Sequence, residues 1–147
     1  CAEMKSPFVN FEELKIGHLP HPGYERKADT IVGEAYTDVL SSWAFGLTCT
    51  AGWRQCLLAK HVEIAIANSL PVSDSLAEYD VPKEINECMV LADFRRKPKD
   101  VFDEMSYLLK NENEYNERRK RYRDYILSNR SADQNTKKLI QQIRTMK

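Results

Sequence analysis

The chain has 147 residues, of which 42% are hydrophobic and 30% are charged, and its 22 basic side chains balance its 22 acidic ones. This length and hydrophobic content suit one packed domain and exclude a wholly disordered chain. With only 5 glycines and 6 prolines the sequence is neither collagen-like nor of low complexity, and no apolar run approaches the ~20 residues that a membrane helix needs.

Along the chain, short apolar segments typical of strands alternate with segments of helical periodicity. In chain order, the pattern predicts a strand at 14–19, a helix at 33–42, a strand at 44–49, a helix at 57–68, and strands at 70–72 and 88–92. In the helix at 33–42, the apolar side comprises Tyr36, Val39 and Leu40. After Pro98 three helical segments follow, whose apolar positions are Val101, Phe102, Met105, Leu108 and Leu109, then Tyr115, Tyr122, Tyr125 and Ile126, and then Leu139, Ile140 and Ile143.

This alternation predicts the fold class. Short continuous apolar strands separated by helices are typical of a parallel sheet that is covered on both faces. We therefore predict an α/β fold, a Rossmann-like doubly wound parallel sheet with a helical C-terminal extension. Residues 1–100 would form the core, and residues 101–147 would form the extension of the same domain.

The neutral net charge conceals an asymmetry. Residues 104–147 hold 11 of the 22 basic residues but only 6 of the 22 acidic ones, and the basic excess is concentrated at 118–123. Such a run fits either an interaction module that binds a protein or nucleic acid, or a solvated helix face. The second interpretation is favoured because acidic residues interleave with the run, and we expect no nucleic-acid partner.

The cysteines and the start of the chain bear on its location. Four cysteines stand at 1, 49, 56 and 88 and form no CxxC pair, which favours reduced thiols. No signal-peptide pattern opens the sequence, so we expect a cytoplasmic protein. A first residue that is cysteine rather than methionine suggests a fragment of a longer polypeptide.

In a doubly wound sheet, ligands bind outside the carboxyl ends of the strands. Here that rule selects the loops at 18–24, 50–55, 73–79 and 93–97. None of the common signatures for dinucleotides, P-loop phosphates, zinc proteases or serine hydrolases is present. The three histidines are too poorly spaced for a metal site, so no metal or cofactor is expected. His21, in the first loop, is a candidate for ligand contact.

The second loop has the features of an anion site. Gly52 lies between a predicted strand and a predicted helix, where backbone N–H groups at a helix N-terminus bind phosphate and a glycine permits close approach. Arg54 and Lys60 would add positive charge.

Glu63 is an acid within an otherwise apolar and small helical segment. Burying a lone carboxylate is costly, so it must be paired, exposed or bound to a ligand. A carboxylate accepts two hydrogen bonds from a ribose diol, which gives a chemical reason for an acid near a nucleotide. An exposed Glu63 paired with Lys60 is the alternative, and the sequence leaves both open.

Residues 59–74 read AKHVEIAIANSLPVSD, which resembles the donor-binding motif of GT-B glycosyltransferases. The order of elements over residues 36–125 is similar to that of the same domain, so the resemblance covers about two thirds of the chain. It is closest to spore-coat-type glycosyltransferases and weaker to α-fucosyltransferases. The chain departs from the motif at Asn68 and Ser69, which replace a glycine, and at Gln55, which replaces a first glutamate.

The resemblance implies roles for individual residues. Glu63 corresponds to the acidic residue that contacts the ribose of the sugar nucleotide. Lys60 corresponds to the basic residue that neutralises the charge of the diphosphate. Gly52 falls in the loop that faces the phosphates, with Arg54 beside it, and His21 falls at a strand end that flanks the nucleotide. The catalytic residue stays unknown, because the base in such enzymes usually belongs to the other domain.

The implied activity is metal-independent hexosyl transfer from a nucleotide-diphosphate sugar to an acceptor hydroxyl, as in carbohydrate biosynthesis. The acceptor would be a glycan, a lipid or a protein, and the partner would be an N-terminal domain of the same enzyme. The leaving diphosphate would be stabilised by Lys60, Arg54 and the helix N-terminus near Gly52. We therefore expect the isolated chain to bind donor without completing turnover.

Overall fold

The computed structural model describes residues 31, 33–50, 59–76, 81–93, 95–130, 136–137 and 140–141. Its elements are α1 (Glu34–Ser41), β1 (Phe45–Leu47), α2 (Ala59–Ile66), β2 (Leu70–Ser73), α3 (Lys83–Asn86), β3 (Val90–Leu91), α4 (Pro98–Lys110) and α5 (Glu112–Arg130). The elements predicted between 33 and 130 are confirmed in type and order, with shorter bounds for most of them. The predicted strand at 14–19 lies outside the described residues, and of the third C-terminal helical segment only 136–137 and 140–141 are described, all as helix.

The sequence did not predict the four-residue helix α3. A single turn contains too few residues for an apolar period to be visible. Its role is local: Asn86, at its end, is buried and its side-chain oxygen accepts a hydrogen bond of 2.7 Å from the backbone N–H of Leu76. The helix thereby fixes the chain that follows β2.

The three strands form one parallel sheet in the order β1-β2-β3. Phe45 pairs with Leu70, and Val72 pairs with Val90. Because parallel neighbours require crossover connections, the intervening α2 and α3 follow directly from this topology. The predicted α/β class with a parallel sheet is confirmed.

Helices pack on both faces of β2. Leu70 and Val72 point to one face, where they lie in a cluster with Val101 and Leu108 of α4. Ser73 points to the other face, since side chains alternate along a strand, and there it hydrogen-bonds to His61 of α2. This two-sided cover is compatible with the predicted Rossmann-like arrangement.

Helix α5 crosses the amino-terminal edge of the sheet. The hydroxyl of Tyr115 donates to the backbone oxygen of Ala44, just before β1, at 2.6 Å. Four residues later, a guanidinium N–H of Arg119 donates to the backbone oxygen of Asn68, just before β2. Further along, Tyr122 is buried in a second cluster on the α2 side of the sheet. As far as it is described, the opposite, carboxyl-terminal edge comprises residues 48–50, 74–76, 92–93 and 95–97.

Among the described residues, no helix combines the length and apolar character needed to cross a membrane. The longest, α5, is rich in charged side chains over its 19 residues.

Candidate functional site

The start of α2 lies at the carboxyl-terminal edge of the sheet. His61, in its first described turn, is fully buried and its Nε2 lies 3.1 Å from the hydroxyl of Ser73, the last residue of β2. At the other end, Ser69 follows α2 and its hydroxyl lies within hydrogen-bonding distance of the backbone oxygens of Leu40 and Trp43, at 2.9 and 2.8 Å. Lys60, next to His61, is therefore at the edge where ligands of parallel sheets bind.

Helix α1 lies beside α2 and runs in the same direction. Its C-terminal residues meet the end of α2 through the hydrogen bonds of Ser69. Its first turn, which contains Tyr36, consequently lies at the same end as Lys60. The first turns of the two helices therefore lie side by side at the carboxyl-terminal edge.

Three side chains of α1 and α2 meet here, and we name them the Lys60–Glu63 cluster: Tyr36, Lys60 and Glu63. The Lys60 ammonium lies 2.6 Å from Oε2 of Glu63, and the Tyr36 hydroxyl donates to the same oxygen at 3.3 Å. The ammonium also contacts the Tyr36 hydroxyl and lies 4.6 Å from the ring centroid. The side chains of Lys60 and Glu63 remain 36% and 41% exposed, so a ligand can reach both.

These contacts stabilise the positive charge of Lys60. Partial burial would by itself lower the pKa of Lys60, but hydrogen bonds to Glu63 and Tyr36 and the negative charge of Glu63 outweigh it and raise that pKa. Lys60 is therefore cationic at neutral pH. Within the described residues, Oε1 of Glu63 has no hydrogen-bond partner, so one acceptor oxygen is open.

The structure brings two of the predicted site residues together and adds one. Lys60 and Glu63 form the ion pair that the sequence offered as an alternative, and whether Glu63 also contacts a ribose stays a prediction. Gly52, Arg54 and His21 lie outside the described residues. Tyr36 was predicted only as part of an apolar helix side, because nothing in the sequence indicates that the first turns of α1 and α2 meet.

A second polar cluster ties the ends of two strands together. The backbone N–H of Thr50, three residues after β1, donates to Oδ1 of Asp74 at 2.6 Å, and the Thr50 hydroxyl donates to Oδ2. Ser73 also donates to Oδ1 of Asp74, at 3.1 Å, which connects the carboxylate to His61. The Asp74 carboxylate thereby links the chain after β1 to the end of β2. The loop positions of Thr50 and Asp74 were visible in sequence, but not their contact.

Because of Asp74, the free energy of unfolding should fall at acidic pH. Burial alone would raise the pKa of Asp74, but the hydrogen bonds from Thr50 and Ser73 outweigh it and hold that pKa below its usual value. A carboxyl with a depressed folded-state pKa stabilises the fold above its unfolded-state pKa, near 4, and this contribution is lost as pH falls through the folded-state pKa. Urea unfolding between pH 7 and 2.5 should therefore show a shallower acid loss for Asp74→Asn than for wild type.

Asp38→Asn is the control for this prediction, because Asp38 lies on the exposed side of α1. It should reproduce the acid dependence of wild type. An Asp74→Asn protein whose stability falls with acid as steeply as that of wild type would show that the Thr50 contacts do not depress the pKa of Asp74.

Three of the five basic residues at 118–123 are engaged within the molecule. Arg118 forms ion pairs with Glu104 and Glu114. Arg119 donates to the backbone oxygen of Asn68, and Lys120 pairs with Asp124. Such pairs on and beside a helix favour the interpretation of a solvated helix face.

In the described part of the chain, no group of three or more His, Cys, Asp or Glu side chains is placed to hold a metal ion. Towards a ligand, the Lys60–Glu63 cluster offers an ammonium N–H as a hydrogen-bond donor and a carboxylate oxygen as an acceptor. These groups suit a polar organic ligand that carries hydroxyls and an anionic group.

Comparison of this chain with models of known families, with curated proteins and with solved structures finds no match.

Proposed function

We propose that this chain is the donor-binding half of a metal-independent GT-B-type glycosyltransferase. It would bind a nucleotide-diphosphate sugar and, joined to a second domain, transfer the sugar to an acceptor hydroxyl. The observation that carries the proposal is the pairing of Lys60 with Glu63 at the carboxyl-terminal edge of a parallel sheet, with one oxygen of Glu63 open. This is the edge at which nucleotides bind in α/β folds.

The chemistry of the pair supports a nucleotide diphosphate as ligand. Oε1 of Glu63 is an acceptor for a ribose hydroxyl, and a charge-assisted hydrogen bond of this kind is stronger than a neutral one. Lys60 uses one N–H for Glu63 and another for Tyr36. Its third N–H is available for an anionic phosphate oxygen, where charge builds up as the diphosphate departs.

The second polar cluster supports the same proposal in a different way. Differential stabilisation of a transition state requires groups that do not move when charge develops. Because Asp74 holds Thr50 and connects through Ser73 to His61, the ends of β1 and β2 and the start of α2 are linked by hydrogen bonds. Lys60 therefore projects from a helix whose first turn is held in place by hydrogen bonds.

The proposal assigns donor binding to this chain and removal of the acceptor proton to a second domain. The described clusters contain groups that bind and neutralise, and the base that removes the proton of the acceptor hydroxyl would come from the other domain. The chain alone should accordingly bind donor nucleotides without transferring sugar. The acceptor, whether glycan, lipid or protein, would be selected by that other domain.

The test is a calorimetric titration of the chain with UDP, GDP, CDP and ADP. We expect wild type to bind at least one of them. Glu63→Gln should bind it about ten-fold or more weakly, because a hydrogen bond to a charged group contributes about 1.5–3 kcal/mol. The matched control is Glu87→Gln, since Glu87 also pairs with a lysine, Lys83, at 3.5 Å but lies on an exposed surface; its affinity should equal that of wild type.

Two results would contradict the proposal. If wild type binds none of the four nucleotides, the donor-binding function is wrong. If Glu63→Gln binds as tightly as wild type, the chain binds nucleotides by other groups and the ribose contact of Glu63 is wrong.

A further inference from the structure

We propose that Tyr36 is a positioning residue, which orients the Lys60 ammonium and the Glu63 carboxylate towards one ligand. The inference rests on the proposed function and deepens it, because it adds a residue from α1 to a site otherwise built on α2. Neither the residue type nor its place in the predicted helix pointed to this role. It follows from where the hydroxyl and the ring of Tyr36 lie.

The hydroxyl of Tyr36 has both of its hydrogen-bonding capacities in use. It accepts from the Lys60 ammonium and donates to Oε2 of Glu63 at 3.3 Å. A phenol has one O–H to donate, so with this bond it can offer no second one. Tyr36 therefore has no donor left for a ligand, and its hydroxyl acts through its two neighbours.

Both Tyr36 and Lys60 donate to the same oxygen of Glu63. The two bonds end on Oε2, at 3.3 and 2.6 Å, and leave Oε1 without a bond to Tyr36 or Lys60. Without the Tyr36 hydroxyl, the carboxylate could rotate and share both oxygens with the ammonium. The second bond to Oε2 thus favours the rotamer in which Oε1 is free.

The ring of Tyr36 restrains Lys60 independently of the hydroxyl. The ammonium lies 4.6 Å from the ring centroid, within the range of a cation–π interaction. A lysine side chain is otherwise flexible, and a flexible cation binds an anion less well because it must first be ordered. The raised pKa of Lys60 agrees with an ammonium that is held by both neighbours.

The cluster therefore presents one cationic N–H and one carboxylate oxygen side by side. A ligand that matches them carries an anionic oxygen and a hydroxyl on neighbouring groups. A nucleoside diphosphate has both, whereas inorganic phosphate has no sugar hydroxyl. Of these two probes, the cluster should prefer the nucleotide, and Tyr36 should contribute to that preference through Glu63.

The experiment is a double-mutant cycle on nucleotide affinity, with Tyr36→Phe, Glu63→Gln and the double variant, each folded as judged by circular dichroism. Phenylalanine keeps the ring over Lys60 and removes only the hydroxyl. We expect Tyr36→Phe to weaken binding about three- to ten-fold in the wild-type background and less than about two-fold in the Glu63→Gln background. Equal losses in both backgrounds would overturn the proposal, because Tyr36 would then not act through Glu63.

Tyr107→Phe is the matched control, since the Tyr107 hydroxyl also donates to a glutamate, Glu114, at 3.0 Å beside a basic residue. It should leave affinity unchanged. A second measurement needs no nucleotide: at neutral pH, NMR should show faster hydrogen exchange of the Lys60 ammonium in Tyr36→Phe than in wild type, and no change in Tyr107→Phe. Unchanged hydrogen exchange of the Lys60 ammonium in Tyr36→Phe would overturn the positioning role, even where wild type binds nucleotide. Absence of nucleotide binding by wild type would instead overturn the proposed function, and with it the role of Tyr36 in that function.

Discussion

Replacing Tyr122 with phenylalanine is expected to leave the free energy of unfolding at pH 7 unchanged or slightly higher, whereas alanine should lower it by about 3–5 kcal/mol. Tyr122 is fully buried in α5, where it packs with Ala65, Met89 and Ile126. Alanine would leave a cavity in this cluster. The Tyr122 hydroxyl, by contrast, has no hydrogen-bond partner in the part of the chain that the structure describes. Removing that oxygen removes a buried polar group, and denaturation followed by circular dichroism measures both effects.

The difference between wild type and Tyr122→Phe should grow at alkaline pH. Burial raises the pKa of Tyr122 well above its usual value. A group whose pKa is raised in the folded state stabilises that state below its unfolded-state pKa, about 10, and the contribution is lost as pH rises through the folded-state pKa. Above pH 10, wild type should therefore lose stability more steeply than Tyr122→Phe. The prediction fails if Tyr122→Phe is less stable than wild type by more than about 1 kcal/mol at pH 7, because the hydroxyl would then make a hydrogen bond.

Tyr122 also illustrates how far the sequence determines the fold. Its helical period with Tyr115 and Ile126 predicted an apolar face on α5, and that prediction is confirmed. The period does not indicate that Tyr115 packs in one cluster and Tyr122 in another, because the helix crosses an edge of the sheet. That crossing depends on contacts such as the one between Tyr115 and Ala44, which are 71 residues apart in the chain.

The candidate site also contains one contact that the sequence predicts and others that it does not. Lys60 and Glu63 are three residues apart on one helix, a spacing that makes side chains neighbours, so their pairing could be predicted. Tyr36 and Asp74 reach their partners over 24 or more residues, through the packing of α1 on α2 and of β1 on β2. A single sequence contains no local signal for such contacts. It indicates which loops meet at the carboxyl-terminal edge, but not which side chains bond there.

Replacing Gly46 with valine is expected to lower the free energy of unfolding by about 3 kcal/mol, and replacing it with alanine by about 1 kcal/mol or more. Gly46 is buried in β1, and a Cβ atom there would lie 2.5 Å from Cγ1 and 2.7 Å from Cδ1 of Ile64. Ile64 is fully buried on α2, and its branched side chain is restricted at χ1. The side chain therefore cannot turn aside, and α2 must shift. Leu47→Val is the control, since Leu47 is 78% exposed and should change stability by less than about 0.5 kcal/mol.

A compensating substitution separates this clash from other effects of adding a side chain. Ile64→Ala alone should cost about 2–5 kcal/mol, because it opens a cavity beside Gly46. In the double variant, the methyl group of Gly46→Ala enters space that Ile64 has vacated, so its loss of stability should be smaller than the sum of the single losses. Strictly additive losses would show that the two residues do not limit each other. Because this contact sets the separation of β1 and α2, Gly46→Ala should also weaken the proposed nucleotide binding in a folded protein, since Lys60 and Glu63 would move with the helix.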